Sequence, residues 1–232
     1  MALDLFGNPL PPRKRRRDRS RYLRRIDMAT LNSILTTVST TSQWNIPVVQ
    51  PNHYTETPTR FMSFAEIKSI EDLSDVCCHF YVDDWRFVRV FDYPDDMIPI
   101  LRNCMYVICP DFSQLIGWPR FACFSNSCWN KAIGAYWQMN GVNIVPNITW
   151  NYPDSYKYSV TGWPKGGMIA INSKGCLDTD ESVYYWEQGY NFVLNEINPN
   201  KILRCGPIMP NEDISRSVFF STNYIDRIRN GR

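Results

Sequence analysis

Five short, largely apolar runs recur along the chain, and they restrict its possible folds more than any other feature. They are His79–Val82, Met105–Ile108, Val142–Val145, Met168–Ile171 and Lys201–Arg204. Runs this short, rich in β-branched and aromatic residues and closed by turn formers, read as strands buried on both faces. Between them lie segments with helical spacing: Asp95–Arg102 behind Pro94, Ser127–Asn140 stopped at Gly141, and Glu181–Ile197 stopped before Pro199. Asn-Gly and Asn-Pro are ordinary helix stops. Strand–helix–strand repeated in this way is the βαβ unit. The sequence therefore predicts an α/β fold with a mainly parallel sheet of five to seven strands and flanking helices, built as an open sheet or a reduced barrel. Asn45–Val49 and Val218–Ser221 are candidates for an early and a late strand.

The net charge of +2 conceals an uneven distribution. Arg13, Lys14, Arg15, Arg16, Arg17, Arg19, Arg21, Arg24 and Arg25 crowd the N-terminus against only Asp4 and Asp18. A block of like charge cannot bury itself, so a disordered basic arm is expected there. Clustered arginine releases counterions from phosphates and matches their oxygens with its planar fork, which makes nucleic acid the expected partner. The expected organisation is a basic arm, short helix and linker over residues 1–43, an α/β domain over 44–210, and a polar, basic tail over 211–232. No run approaches the ~20 apolar residues of a membrane helix. Nor does an apolar stretch follow the N-terminal charges as in a secretory signal. An intracellular protein without membrane contact is the expectation.

That compartment decides how the eight cysteines are read. They should be reduced rather than bridged. None is spaced as C-x-x-C, and several sit in apolar strand context, where a thiol behaves as a small hydrophobe, so zinc is disfavoured.

In parallel α/β folds, ligands bind at the carboxyl ends of the strands. Just past the predicted strands come Asp83 and Asp84, then Asp111 and Ser113, then Asn147, Thr149 and Trp150, then Asn172, Ser173 and Lys174. Asp84, Asp111 and Ser113 are the candidate catalytic residues, and Asp84 and Asp111 are also the candidate metal ligands. Asn147, Trp150, Ser173 and Lys174 are the candidate substrate contacts.

Several motifs carry a resemblance. Val82-Asp83-Asp84-Trp85-Arg86-Phe87, Cys109-Pro110-Asp111-Phe112-Ser113, Ile133-Gly134-Ala135-Tyr136-Trp137-Gln138 with Gly141, and Ile144-Val145-Pro146-Asn147-Ile148-Thr149-Trp150 appear in order. Over Phe61 to Gly206 the chain resembles the domain-of-unknown-function family 4417, found in bacteria, phages and mobile elements. Where that family shows an arginine-rich stretch before its Gly-Ala-Tyr-Trp-Gln motif, this chain keeps only Lys131. The resemblance implies a phage or mobile-element context and no established activity.

Chemistry must come from the residues. Two strand-end carboxylates suit Mg²⁺, which takes oxygen ligands and retains water, so metal-assisted phosphoryl chemistry beside nucleic acid is one reading. A non-enzymatic module that targets a host protein is the alternative, and a small-molecule or nucleotide hydrolase is the third. Paired carboxylates with rim tryptophans also suit glycosidic cleavage, although a basic arm has no use there. Histidine-assisted nucleophilic catalysis is disfavoured: the histidines are His53 and His79, and His79 opens an apolar run as a buried structural residue would.

Overall fold

The computed structural model describes Ile34 and residues 36–222. The arginine run from Arg13 to Arg25 and the last part of the expected tail lie outside the described residues. β1 (Thr40–Thr41) and β2 (Ile46–Pro47) form a small antiparallel hairpin apart from the main sheets. The early strand expected at Asn45–Val49 is thus shorter and belongs to this hairpin, because Ser42 and Asn45 take left-handed turn conformations that fold the chain back.

β3 (Arg60–Ser63), β4 (Val76–His79), β5 (Tyr106–Ile108) and β6 (Ile144–Val145) form one sheet, and β7 (Met168–Asn172), β8 (Lys201–Cys205) and β9 (Ser217–Phe220) a second. Every pairing in both is parallel and follows chain order. The sheets meet where Asn147 bridges Ala170: the Ala170 N–H donates to Pro146 O at 2.7 Å and the Ile148 N–H to Ala170 O at 3.0 Å. At the opposite seam the Phe61 ring of β3 stacks on Phe220 of β9, with centroids 4.0 Å apart. These strands roll into a reduced barrel, joined by hydrogen bonds at one seam and by an aromatic pair at the other.

The side chains sort accordingly, since successive residues of a strand face opposite sides. Cys77, Tyr106, Ile108, Val145, Met168, Ala170, Leu203 and Cys205 pack together inside the barrel, with Phe61, Val218 and Phe220 against them. Their neighbours Cys78, Val107, Ile144, Ile169, Ile171 and Ile202 join the larger outer cluster under the helices. Burial on both faces is why these strands read as continuous apolar runs. Each large side chain so buried contributes roughly 1.5–3 kcal/mol of transfer free energy. The amino end of the barrel is plugged. Asn52 mimics a neighbouring strand by accepting from the Met168 N–H at 3.0 Å and donating to its carbonyl at 3.1 Å, while Tyr54 packs on Tyr106.

Among the described residues, α-helices run over α1 (Asp84–Phe87), α2 (Arg89–Asp92), α3 (Ile98–Leu101), α4 (Arg120–Met139), α5 (Pro153–Val160) and α6 (Asp180–Ile197), after a helical stretch that includes residues 36 and 37. α6 starts where the Thr179 hydroxyl accepts from the Ser182 N–H at 3.1 Å, and it stops at left-handed Asn198. None of the described helices is long and apolar enough to cross a membrane.

Three local expectations change. The strand expected at His79–Val82 lies at Val76–His79, where the small thiols of Cys77 and Cys78 fit either face. α4 begins before Ser127, at Arg120, because Pro119 sets the turn ahead of it. The fold also runs past the boundary expected at 210: β9 is a barrel strand and Thr222 is buried.

Candidate functional site

The carboxyl mouth gathers polar side chains from four consecutive strands. Tyr81 follows β4, Asp111 follows β5, Asn147 follows β6 and Asn172 ends β7. The Tyr81 hydroxyl donates to Asn147 Oδ1 at 2.9 Å, and Asn147 Nδ2 donates to Asp111 Oδ1 at 2.8 Å. Asn172 accepts from the Lys174 N–H at 3.0 Å and hydrogen-bonds Asp111 as well. Consecutive strand ends bring all four into one hydrogen-bonded array.

Burial lifts the Asp111 carboxyl to about 6. The Asn147 and Asn172 hydrogen bonds pull it down, and the nearby Asp84 charge pushes it up. A carboxyl at that value exchanges its proton near neutral pH, which suits a general acid or base. His79 lies inside the barrel beneath, stacked near Tyr81, and burial depresses its imidazole to about 3, with Lys174 adding to the effect. It is a neutral structural histidine, accepting weakly from the Tyr81 N–H.

A cavity of about 190 Å³ opens beside Asp111. Ser113, Gln114, Thr149, Asn172 and Lys174 give it polar walls, and Leu115, Ile148, Trp150 and Trp186 give it apolar ones. The Lys174 ammonium donates to the Thr222 hydroxyl, which ties the β7 end to the chain after β9. Three lining residues carry buried polar atoms with no hydrogen-bond partner among the described residues: Gln114 Oε1, Trp150 Nε1 and Trp186 Nε1. All three atoms are covered by protein, Trp150 Nε1 by Gly189 of α6.

Asp84 opens α1, and both of its oxygens accept from Ser113, from the N–H at 3.1 Å and the hydroxyl at 2.9 Å. Asp84 and Ser113 thereby fix the loop that carries Asp111. Asp83 points outward to Arg86 at 3.6 Å. Among the other expected contacts, Asn147 orients Asp111, and Trp150 and Lys174 line the cavity. Ser173 is fully buried, donating to Pro207 O at 2.7 Å and accepting from Arg204 at 3.1 Å. No group of three His, Cys, Asp or Glu gathers among the described residues, and all eight cysteines are free thiols. Tyr81, Gln114 and Trp186 were not foreseen as site residues. Tyr81 lies inside an apolar run, and Trp186 lies within the segment of helical spacing at Glu181–Ile197.

The fold and its mouth define a class: a reduced parallel α/β barrel with a carboxylate–amide array beside a ligand-sized cavity. Residues 38–221 match the model of the family described as a domain of unknown function, DUF4417, and the chain belongs to that family. It is similar to the "Gene 1 protein" of Mycobacterium phage D29, 26% identical over 179 residues that make up 77% of this chain and 66% of that protein. It is also similar to the "Gene 1 protein" of Mycobacterium phage L5, 23% identical over 178 residues, or 77% of this chain and 78% of the relative. No solved structure matches.

Proposed function

We propose that the barrel mouth is the active site of a phage or mobile-element enzyme that moves a proton to or from a small ligand through Asp111. The observation that carries this reading is the setting of Asp111. It is the acidic residue lining the cavity, oriented by amides at the ends of the next two strands and raised by burial to about 6. The test incubates a bacterial metabolite extract with the wild-type protein or Asp111→Asn and follows it by mass spectrometry. A metabolite consumed by the wild type and spared by the variant supports the reading; identical profiles overturn it.

In the same proposal, the arginine run from Arg13 to Arg25 brings the enzyme to nucleic acid. Its sequence supports this through phosphate pairing. The full chain should bind DNA or RNA with an affinity that falls steeply as salt rises, and removal of residues 1–25 should abolish most of it. Equal binding by both forms overturns this part alone.

A second reading rests on Asp84, whose charge helps raise the Asp111 carboxyl. Mg²⁺ between them would relieve that repulsion and supply phosphoryl chemistry. Both Asp84 oxygens are committed to Ser113, so a metal would have to share them with those hydrogen bonds. Calorimetric titration with Mg²⁺ on the wild type and on Asp84→Asn decides it. The same absence of heat in both removes the metal.

A further inference from the structure

We infer that the cavity takes a small organic cation, a protonated amine that pairs with the Asp111 carboxylate; this rests on the proposed active site and names its substrate class.

Charge comes first. Asp111 takes part in none of the ion pairs among the described residues. Asn147 Nδ2 donates to its Oδ1 at 2.8 Å. Asn172 gives its own Oδ1 to the Lys174 N–H, so the Asn172 amide nitrogen is what donates to Asp111. These amides orient the carboxylate without neutralising it. The charged side chain that acts on it is another carboxylate, Asp84. Lys174 also lines the cavity, but its ammonium is given to the Thr222 hydroxyl beyond β9, and its charge bears on His79 and Cys205. A carboxylate in the wall of a cavity and without a counter-ion calls for a cation, since charges withdrawn from water are found paired.

The kind of cation follows from the rest of the cavity. An apolar cavity of ~150 Å³ holds one benzene ring. At about 190 Å³ this one admits a single ring, or a chain of similar bulk, together with its charged group. Leu115, Ile148, Trp150 and Trp186 give the hydrocarbon part apolar walls. A metal ion finds less here. No three His, Cys, Asp or Glu gather among the described residues, and both Asp84 oxygens already accept from Ser113. An ammonium brings its own hydrogens to one carboxylate and needs no cage of oxygen ligands.

The experiment follows heat and indole fluorescence of the full-length protein during titration with benzylamine, benzyl alcohol, benzoate and acetyl-lysine amide. Benzylamine should bind about tenfold or more tightly than benzyl alcohol, because a charge-assisted hydrogen bond is roughly twice as strong as a neutral one. Benzoate should bind weakest. The benzylamine affinity should fall as pH drops through 6, where Asp111 takes up its proton. Asp111→Asn, which keeps the shape and removes the charge, should erase the preference for the amine. Tighter binding of the lysine derivative identifies a polypeptide side chain as the source of the cation, and tighter binding of benzylamine identifies a free amine. Equal binding of benzylamine and benzyl alcohol overturns the inference, as does an amine preference that survives in Asp111→Asn. Tighter binding of benzoate overturns it too and identifies an anion site governed by Lys174. If no probe binds while Asp111→Asn still changes the metabolite profile, the amine assignment fails and the proposed active site stands. If that profile is unchanged as well, both fail.

Discussion

Arg204 and Glu212 form a two-pronged ion pair with both side chains wholly withdrawn from solvent: Nη2 donates to Oε2 at 2.9 Å and Nε to Oε1. The remaining guanidinium hydrogens are also used, on the carbonyls of Ile171, Cys205 and Pro207 and on the Ser173 hydroxyl. Glu212 accepts from the Met209 N–H at 3.0 Å. One cation thus fastens the ends of β7 and β8 to the loop that leads into β9. Removing either partner strands the other without solvent. Glu212→Ala should cost about 3–5 kcal/mol in urea unfolding, and Arg204→Met combined with Glu212→Leu should cost less than either single change. Additive costs would show that the pair is not coupled.

Asp111 makes the opposite contribution. Its folded value, about 6, lies above that of an unfolded aspartate, so the stability it lends is complete below pH 4 and disappears as pH rises through 6. Asp111→Asn should therefore melt at an equal or higher temperature at pH 8, by ~2–4 °C for each kcal/mol in a chain this long. The difference should vanish near pH 4. A variant less stable at pH 8 would mean that the carboxylate is a structural partner of Asn147.

The sequence disclosed the repeating architecture because the parallel strands are buried on both faces. Tyr106–Ile108, Met168–Asn172 and Lys201–Cys205 announce themselves as apolar runs. Arg60–Ser63 was silent, since the sequence Arg-Phe-Met-Ser has polar ends and only half-buried apolar residues between them. α5 was silent as well, because Pro153 and its polar neighbours read as a loop although proline is at home in a first helical turn. The rim rule pointed to Asp111, Asn147, Trp150 and Lys174, which lie together at one mouth. It could not separate Asn147, which orients a carboxylate, from Ser173, which serves a buried arginine. Those roles depend on partners more than thirty positions away in the chain, such as Asp111 for Asn147 and Pro207 for Ser173.

Lys131 offers a cleaner pH test than any surface charge. It is buried in the middle of α4 and donates to Ser127 Oγ at 2.7 Å, Ser127 O at 3.3 Å and Tyr158 O at 3.1 Å, with Trp163 alongside. Burial lowers its ammonium to about 7, against small opposing effects of Cys128 and Cys109. An unfolded lysine titrates near 10.4. Between pH 7 and 10 the unfolded chain therefore holds one proton more, and wild-type stability gains from this group as pH rises. Lys131→Met should remove that slope, so its advantage over the wild type is greatest at pH 6 and shrinks toward pH 10. Parallel curves of melting temperature against pH would refute a buried, neutralisable lysine.

The last prediction concerns how Trp150 is held. Gly189 sits on the buried face of α6, and a Cβ built there would lie 2.2 Å from both Cδ1 and Nε1 of the Trp150 indole. In the middle of a helix, glycine costs about 1 kcal/mol relative to alanine, so its presence is unfavourable locally. Close approach of the indole offsets that cost, and the same approach sets the wall of the cavity beside Asp111. Gly189→Ala should gain helix propensity and yet lose ~1–3 kcal/mol overall, because the rigid indole has to move. It should also shift the Trp150 fluorescence and abolish ligand binding in the cavity. Adding Trp150→Leu removes the clash, so the double variant should recover most of the stability while binding stays lost. Recovery of both would place the binding determinant elsewhere in the mouth, and stability unchanged by Gly189→Ala would show that the indole is not held there.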